Sequence, residues 1–397
     1  MKFGGSSVAD NNKLKNVASR VIDHYDAGKK VVVVVSAQGD TTDDLLEKAA
    51  QVNPNPSKRE MDVLLSTGEQ ISMSLLAMTL ENMGKNAVSI TGWQAGIKTE
   101  DKYSNARIIS IDVSRIMQEL NNNKIVIVAG FQGINSIGDI TTLGRGGSDT
   151  TAVALACELK AEFCEIYTDV DGVYTTDPRI VPNAKKLTDI SYDEMLELAS
   201  LGANVLHNRS VELAMKYNLP IKVLSSFERI SGTIVKEMNQ VEKLVVRGVA
   251  RDNNTSRISV IGVPDEPGEA FQIFDTLAKA NINVDLIIQS VGQNHSKNVS
   301  FTVAKSDRAE AIKLLEPMVE KLGALKVNYN DDVSKVSIVG AGMVANCGVA
   351  AAAFKALSDA SINIKMIATS EIKISVLVDE KDGEGAVKAL HNAFIEE

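Results

Sequence analysis

The sequence predicts an α/β protein, an α/β sandwich around a mainly parallel sheet followed by two small ferredoxin-like modules. Three observations carry that prediction. Apolar β-branched runs such as Lys30–Ala37, "KVVVVVSA", alternate with helical patterns through the first part of the chain. Glycine-rich loops stand where those strands should end. After about residue 245 the texture becomes a repeat, with Ile258–Ser290 matching Ile338–Ser370 at an offset of 80 positions.

The elements follow in order. "KVVVVVSA" is a continuous apolar run that suits a strand buried on both faces. Glu60–Met83 has the length and spacing of a helix, and Gly84 is its stop. A strand at Ala87–Thr91, a helix around Val113–Asn122 and a strand at Lys124–Ala129 continue the alternation. The stretch Leu143–Ala156, "LGRGGSDTTAVALA", opens the next helix, and strands follow at Phe163–Thr168 and Ile221–Ser225. In the repeat, identities fall in order at Ile258/Ile338, Gly262/Gly342, Gly268/Gly348, Phe274/Phe354, Leu277/Leu357, Asn283/Asn363 and Ser290/Ser370, among others. Each copy reads as strand, glycine loop, amphipathic helix and strand, then further strand and helix, which is a ferredoxin-like unit. Two copies of one module point to paired regulation.

Composition excludes several classes. The 397 residues suffice for two or three domains, and 44% hydrophobic with 23% charged residues is ordinary for a globular chain with a proper core. A net charge of -9 with no long basic block argues against nucleic acid or an anionic membrane as partner. The hydrophobic runs are expected to be too short to span a bilayer, and Met1 leads straight into "KFGG" without signal-peptide design. Cys157, Cys164 and Cys347 form no CxxC pair and read as buried thiols of a reducing cytoplasm.

Four loops sit at expected strand ends: "KFGGSS" (Lys2–Ser7), "SAQGDTTDD" (Ser36–Asp44), "GFQG" (Gly130–Gly133) and "LGRGGSD" (Leu143–Asp149). Glycine lets backbone N–H groups approach an anion, and a helix that begins directly afterwards adds the positive end of its dipole. "KFGGSS" therefore reads either as a lysine with a nest of amides around phosphate or as a tight turn. "TDVDGVYTTDPR" (Thr168–Arg179) adds two aspartates, a tyrosine able to stack on a flat ring and an arginine able to meet phosphate; a surface turn is its plainer reading. There is no GxxxxGK[ST], HRD or DFG. "VSIVGAGMVA" (Val336–Ala345) fits GxGxxA, but lies in the second repeat with too little chain around it for a dinucleotide domain, and reads as a module loop.

With "KFGGSSVA", "VVVVSAQGDTTDDL", "LLSTGE", "VAGFQG", "TTLGRGGSDTTA", "TDVDGVYTTDPR" and "INIKMIATSEIKISVLV" in this order, nearly the whole chain resembles the aspartate kinases (aspartokinases) of the amino acid kinase family. The likeness is to their monofunctional form, with a kinase domain expected at 1–243 and ACT domains at 244–328 and 329–397. It implies the reaction of ATP with L-aspartate to give 4-phospho-L-aspartate and ADP, on the route to lysine, threonine and methionine. A side-chain carboxylate is already ionised at neutral pH, so this chemistry needs charge cancellation and in-line positioning rather than a general base.

By the resemblance, Lys2 neutralises the transferring phosphate, with Gly4, Gly5 and Ser6 in the same loop. Arg145 holds the substrate α-carboxylate and Glu69 accepts its ammonium. Ser36, Thr42, Phe131, Gln132 and Ser148 line the substrate site beside the amides of Gly146 and Gly147. Asp149 orients the catalytic cation. Thr168, Asp169, Tyr174 and Arg179 bind ATP, and Mg2+ rides on the ATP phosphates with few protein ligands. Plainer readings stand beside these: Glu69 as a solvated helix glutamate, Ser36 as a turn hydroxyl, and Thr42 and Asp149 as helix N-caps.

Two departures from the family pattern stand out. "GANVLHN" places Asn204 and Asn208 where many members have the lysine and proline of "GAKVLHP", so a second phosphate lysine is not expected. Met1 alone precedes Lys2, where the family strand has several more residues. For the ACT pair, the resemblance implies effector pockets lined by Asp265, Gly268 and Ala270 of "PDEPGEAF", Gln289, Asn363, Ile364, Ser370 and Glu371. Lysine, threonine or both are the expected effectors. A homodimer through the ACT domains is expected, with a tetramer as the next assembly. Two other readings remain: a kinase of the glutamate type, and a non-catalytic ACT amino-acid sensor.

Overall fold

The structure is a computed structural model and describes residues 1–202, 205–238, 245–292, 295–343 and 346–395. The chain divides into two compact units. The first comprises Met1–Val173, Lys186–Ala199 and Asn204–Asn239; the second comprises Tyr174–Lys185, Ser200–Ala203 and Gln240–Glu397.

The first unit is built on an eight-stranded sheet. Its spatial order is Asp189–Ser191, Thr233–Lys236, Ile221–Ser225, Cys164–Thr168, Lys2–Phe3, Val32–Val35, Ile125–Ala129 and Ala87–Ile90. Every neighbouring pair is parallel except Ile221–Ser225 with Thr233–Lys236. The β-branched run therefore lies at the sheet centre, and Ile125–Ala129 is buried at every position. On one face the helices Asn11–Asp26 and Lys58–Asn82 cover the sheet, burying Leu14, Val17, Leu76 and Leu80 against Phe3, Val33 and Ile127. On the other face Ser114–Asn121 and Gly147–Glu158 pack on the strands.

Lys58–Asn82 is long and apolar enough to cross a bilayer by length and composition. Its inner face nevertheless buries Asp62, Ser66, Glu69 and Ser72 beside the sheet, which marks a core helix carrying polar function. It ends where the sequence expects, with Gly84 in the left-handed region at φ +78°. A second, four-stranded sheet was not foreseen: Ile108–Ile111, Ile97–Thr99, Gln132–Ile134 and Ile140–Thr142. Leu143–Asp149 leaves this smaller sheet, not the main one, before opening its helix.

The second unit holds the repeat. Its first module runs Ser256–Pro264, helix Glu269–Lys279, Ile287–Val291, Ser296–Val303, helix Arg308–Lys321 and Lys326–Asn330. Its second runs Val333–Val339, helix Val349–Asp359, Met366–Thr369, Lys373–Asp379 and helix Gly383–Ile395. Both sheets are antiparallel and four-stranded, and the fourth place is filled differently. Lys326–Asn330 pairs with Ser256–Pro264 in the first, whereas Gly248–Asp252, which precedes both modules, pairs with Val333–Val339 in the second. Val336–Val339 of the GxGxxA stretch is part of a strand, while Val344 and Ala345 lie outside the described residues, as do 239–244 at the expected boundary. Among the cysteines only Cys164 is fully buried and Cys347 is exposed, so the expectation of three buried thiols fails there; a loop beside a glycine-capped helix start gives that thiol no core to enter.

Candidate active site

Parallel strands deliver their carboxyl ends to one edge of the sheet, and the glycine loops gather there. Lys2–Phe3 runs into Gly4–Ser7, Val32–Val35 into Ser36–Gly39, Ile125–Ala129 into Gly130, and Cys164–Thr168 into Asp169. The loops touch. The Gly39 amide donates to the Gly5 carbonyl at 3.0 Å, and Ser36 N–H donates to the Phe3 carbonyl at 3.2 Å. A Cβ on Gly5 would stand 2.6 Å from the Ala37 carbonyl oxygen, so only glycine allows that approach. Ser148 packs directly over Gly130.

Two charges face each other across this edge. Lys2 Nζ lies 2.7 Å from Asp149 Oδ1, with both side chains largely shielded from solvent. Asp149 is not the N-cap of its helix. Gly146, left-handed at φ +65°, takes that position, and Asp149 stands in the first turn, where its carboxylate meets both Lys2 and the positive end of the helix dipole. Thr42 is not an N-cap either: Asp40 precedes the helix Thr41–Val52, and Thr42 lies half-buried in its first turn. Arg145 is exposed and makes no ion pair or hydrogen bond among the described residues, which leaves its guanidinium fork open to a ligand.

Glu69 is the clearest chemical signal. Its side chain is buried, with the residue 4% exposed. Oε1 accepts from the Ala37 amide at 3.2 Å, while Oε2 has no hydrogen-bond partner among the described residues. Burial pushes its carboxyl up to about 7, only partly countered by that amide. A buried carboxylate with a free oxygen is a receptor for a cation. Nearby, Phe131 adopts φ +70°, which costs a bulky residue about 1 kcal/mol or more. It is held there because its N–H donates to Thr151 Oγ1 and its carbonyl accepts from Leu143 N–H. Gln132 is fully buried, donates to the Ser66 carbonyl at 2.9 Å, and leaves Oε1 unpaired among the described residues.

The expected nucleotide residues divide. Thr168 ends its strand, with its hydroxyl donating to Asp169 Oδ1 at 3.0 Å and its carbonyl accepting from Ser226 N–H at 2.8 Å. Tyr174 and Arg179 belong to the second unit, where Arg179 is exposed and forks onto Asp177. Asn204 lies outside the described residues, and Asn208 begins the helix Asn208–Tyr217. One cavity of about 390 Å3, lined by Val31, Val32, Leu155 and Phe163, lies at the opposite end of the strands and holds none of these residues.

Sequence reasoning missed Asp62. Its fully buried carboxylate accepts from Ser104 N–H and Thr142 N–H, at 2.8 and 2.9 Å, and from the Thr142 hydroxyl at 2.8 Å, tying the Glu69 helix to the strand that feeds Leu143. The signal was available, because Asp62, Ser66 and Glu69 stand at i, i+4 and i+7 on one face of an otherwise apolar helix.

In the second unit, Gly268 is the left-handed N-cap of Glu269–Lys279, with Ala270 in the first turn, and Asp265 pairs with Lys297 at 2.5 Å. Gln289 is exposed on the edge strand Ile287–Val291, which runs beside Met366–Thr369. Asn363 and Ile364 precede that second strand, and Ser370 and Glu371 form the exposed turn after it.

Comparison with known proteins shows the family. The profile of the amino acid kinase family matches residues 1–225, and that of the ACT domain matches 258–317 and 336–394. An aspartokinase of Geobacillus stearothermophilus is 53% identical over 394 residues, covering 99% of this chain and 96% of that protein. The crystal structure of Escherichia coli aspartokinase III with aspartate and ADP superposes with a TM-score of 0.82 at 28% identity, covering 100% of this chain and 99% of that one. The same enzyme with lysine and aspartate gives 0.76 at 28% identity, covering 99% and 98%. The chain belongs to the aspartokinases of the amino acid kinase family.

Proposed function

We infer that this chain transfers the γ-phosphoryl group of ATP to the side-chain carboxylate of L-aspartate, giving 4-phospho-L-aspartate and ADP. A carboxylate oxygen attacks the γ-phosphorus as the bond to the β-bridging oxygen breaks, and no proton has to move. The observation that carries the reading is one run of contacts: Glu69 to Ala37, Ala37 to Gly5, and the Gly5 loop to Lys2 and Asp149. It sets a receptor for an ammonium beside a cradle for phosphate.

In this reading Glu69 takes the aspartate ammonium and Arg145 its α-carboxylate, with Ser36, Thr42, Phe131, Gln132 and Ser148 and the amides of Gly146 and Gly147 around the substrate. Lys2 and the Gly4–Ser6 backbone cancel the phosphate charge that would otherwise repel the nucleophile. Asp149 holds Lys2 in place, and Thr168, Asp169, Tyr174 and Arg179 serve the nucleotide. Mg2+ fits as a partner of the nucleotide. Asp149 is a hard oxygen donor at the cradle, and among the described residues no cluster of three His, Cys, Asp or Glu side chains stands together. The ion would supply charge neutralisation on the phosphates.

The ACT segments, 244–328 and 329–397 with Gly248–Asp252 completing the second sheet, are the seat of feedback by lysine, threonine or both; a related enzyme with bound lysine supports this. Exposed apolar residues on edge strands, Ile287, Val291 and Ile367, favour a homodimer through these modules, and tetramers as pairs of such dimers. Free thiols throughout fit a cytoplasmic enzyme. The test is purified protein with MgATP and aspartate, glutamate or acetylglutamate, trapping acyl phosphate with hydroxylamine. Hydroxamate with aspartate alone is expected. Product with glutamate alone reverses the substrate, and none with any of them returns the chain to a sensor role. Titrating lysine and threonine, singly and together, identifies the effector.

A further inference from the structure

The stretch His207–Arg209 lies against the loop Leu143–Gly146. It opens the helix Asn208–Tyr217, which packs along Gly147–Glu158. His207 is the N-cap residue by its backbone, but its side chain caps nothing. Its ring lies instead against Gly146: a Cβ on Gly146 would stand 2.2 Å from His207 Cγ and 2.5 Å from Cδ2. Among the described residues Nδ1 is buried without a hydrogen-bond partner, and burial holds the imidazole below its usual range, so it is neutral near pH 7. Two residues on, half-buried Arg209 donates to the Leu143 carbonyl at 2.5 Å, to Asn105 Oδ1 at 3.2 Å and to the Ala106 carbonyl at 3.0 Å. One turn thus grips the loop at both ends, Leu143 and Gly146, with Arg145 between them.

We propose that His207 is a positioning residue for aspartate: by occupying the space beside Gly146, with Arg209 anchoring Leu143, it fixes the direction in which Arg145 and the following amides point. The inference rests on the reading that Arg145 receives the α-carboxylate. Among the described residues Arg145 has no ion pair or hydrogen bond that would hold it, so its direction is set by the backbone on either side. Two features separate this from general packing. The contact falls on left-handed Gly146, the residue directly after Arg145, and among the described residues the grip touches neither Lys2 nor the Gly4–Ser6 backbone.

The test compares His207→Ala and His207→Asn, alone and with Arg145→Ala, by the hydroxamate assay. Asparagine keeps Cβ, Cγ and a planar terminus where the imidazole meets Gly146. The alanine variant is expected to raise KM for aspartate about tenfold or more while KM for ATP stays within about twofold, and asparagine to restore most of the loss. In the Arg145→Ala background the same change should add less than about twofold, because the residue it positions is gone. If KM for both substrates rises together, if asparagine rescues nothing, or if the effects of His207→Ala and Arg145→Ala multiply, the proposal is overturned. Should His207→Ala fail to fold, Arg209→Lys must show the same selective rise in KM for aspartate, and an unchanged KM there overturns it equally. Wild-type protein that yields no hydroxamate with aspartate defeats the underlying reading instead, before any variant is compared.

Discussion

Replacing Glu69 by glutamine should make the protein more stable and a worse enzyme, with a pH signature for each effect. The carboxyl is raised from 4.5 to about 7 by burial. Between those values the folded state keeps a proton that the unfolded chain has released, so folding stability falls as pH rises through the window. Above about pH 7 the full penalty stands, and a shift of this size is worth about 3 kcal/mol at about 1.4 kcal/mol per unit. The residue is 4% exposed, so little solvent screening reduces that figure. Glutamine is neutral at every pH. Without substrate, Glu69→Gln should melt about 6–10 °C higher than wild type at about pH 8.5, but within a few degrees of it at about pH 5. If Glu69 receives the substrate ammonium, bound aspartate should reverse the ranking, because the ammonium pairs with the ionised glutamate and gains only a weak dipole from the amide. KM for aspartate should rise by about two orders of magnitude. Thermal melts at the two pH values, with and without aspartate, read both effects. If the variant melts lower at both, or gains equally at both, then Glu69 is not a desolvated carboxylate and its assignment to the ammonium falls.

Other variants test the remaining parts. Lys2→Met should lower kcat by at least about two orders of magnitude with a smaller change in KM for aspartate, measured by ADP release; a kcat within twofold of wild type would remove Lys2 from the phosphate cradle. Arg145→Lys keeps the charge but loses the planar fork, so KM for aspartate should still rise roughly tenfold, and an unchanged KM would mean that no bidentate pair forms. Gly146→Ala combines φ +65° with a Cβ 2.2 Å from His207 Cγ, so it should abolish measurable aspartate binding by calorimetry even where the fold survives. Lys335, almost fully buried between Asp252 at 3.2 Å and Asp285, joins the two modules of the second unit. Lys335→Met should therefore destabilise that unit by about 3 kcal/mol in urea unfolding.

Much of the fold was legible because its strands are buried on both faces and so read as unbroken apolar runs: Val32–Val35 and Ile125–Ala129 were placed to within a residue or two. The smaller sheet was not, because strands of three or four residues such as Ile108–Ile111, with Ile109 exposed, carry neither length nor alternation. Motifs located the glycine loops that gather at the strand ends, but not the groups that hold them. Asp62 and Arg209 act across 80 and 66 residues of chain on Thr142 and Leu143, and no local pattern records such pairings. Cap positions also misled. Thr42 and Asp149 have the chemistry of N-caps, yet Asp40 and a left-handed Gly146 stand there, leaving Asp149 free to pair with Lys2.

The strand Gly248–Asp252 interlaces the tail of the chain. Because it belongs to the second module's sheet but precedes the first in sequence, the first module is in effect an insertion inside the second. Excising the final 69 residues as a separate fragment would bare the flank of Val333–Val339, inviting fibrous self-association, while the remainder would carry an orphaned ribbon. A graft or deletion that respects the topology must lift out the stretch between Asp252 and Val333 as one cassette, whose ends Ser256 and Asp331 are already linked by a 2.6 Å hydrogen bond.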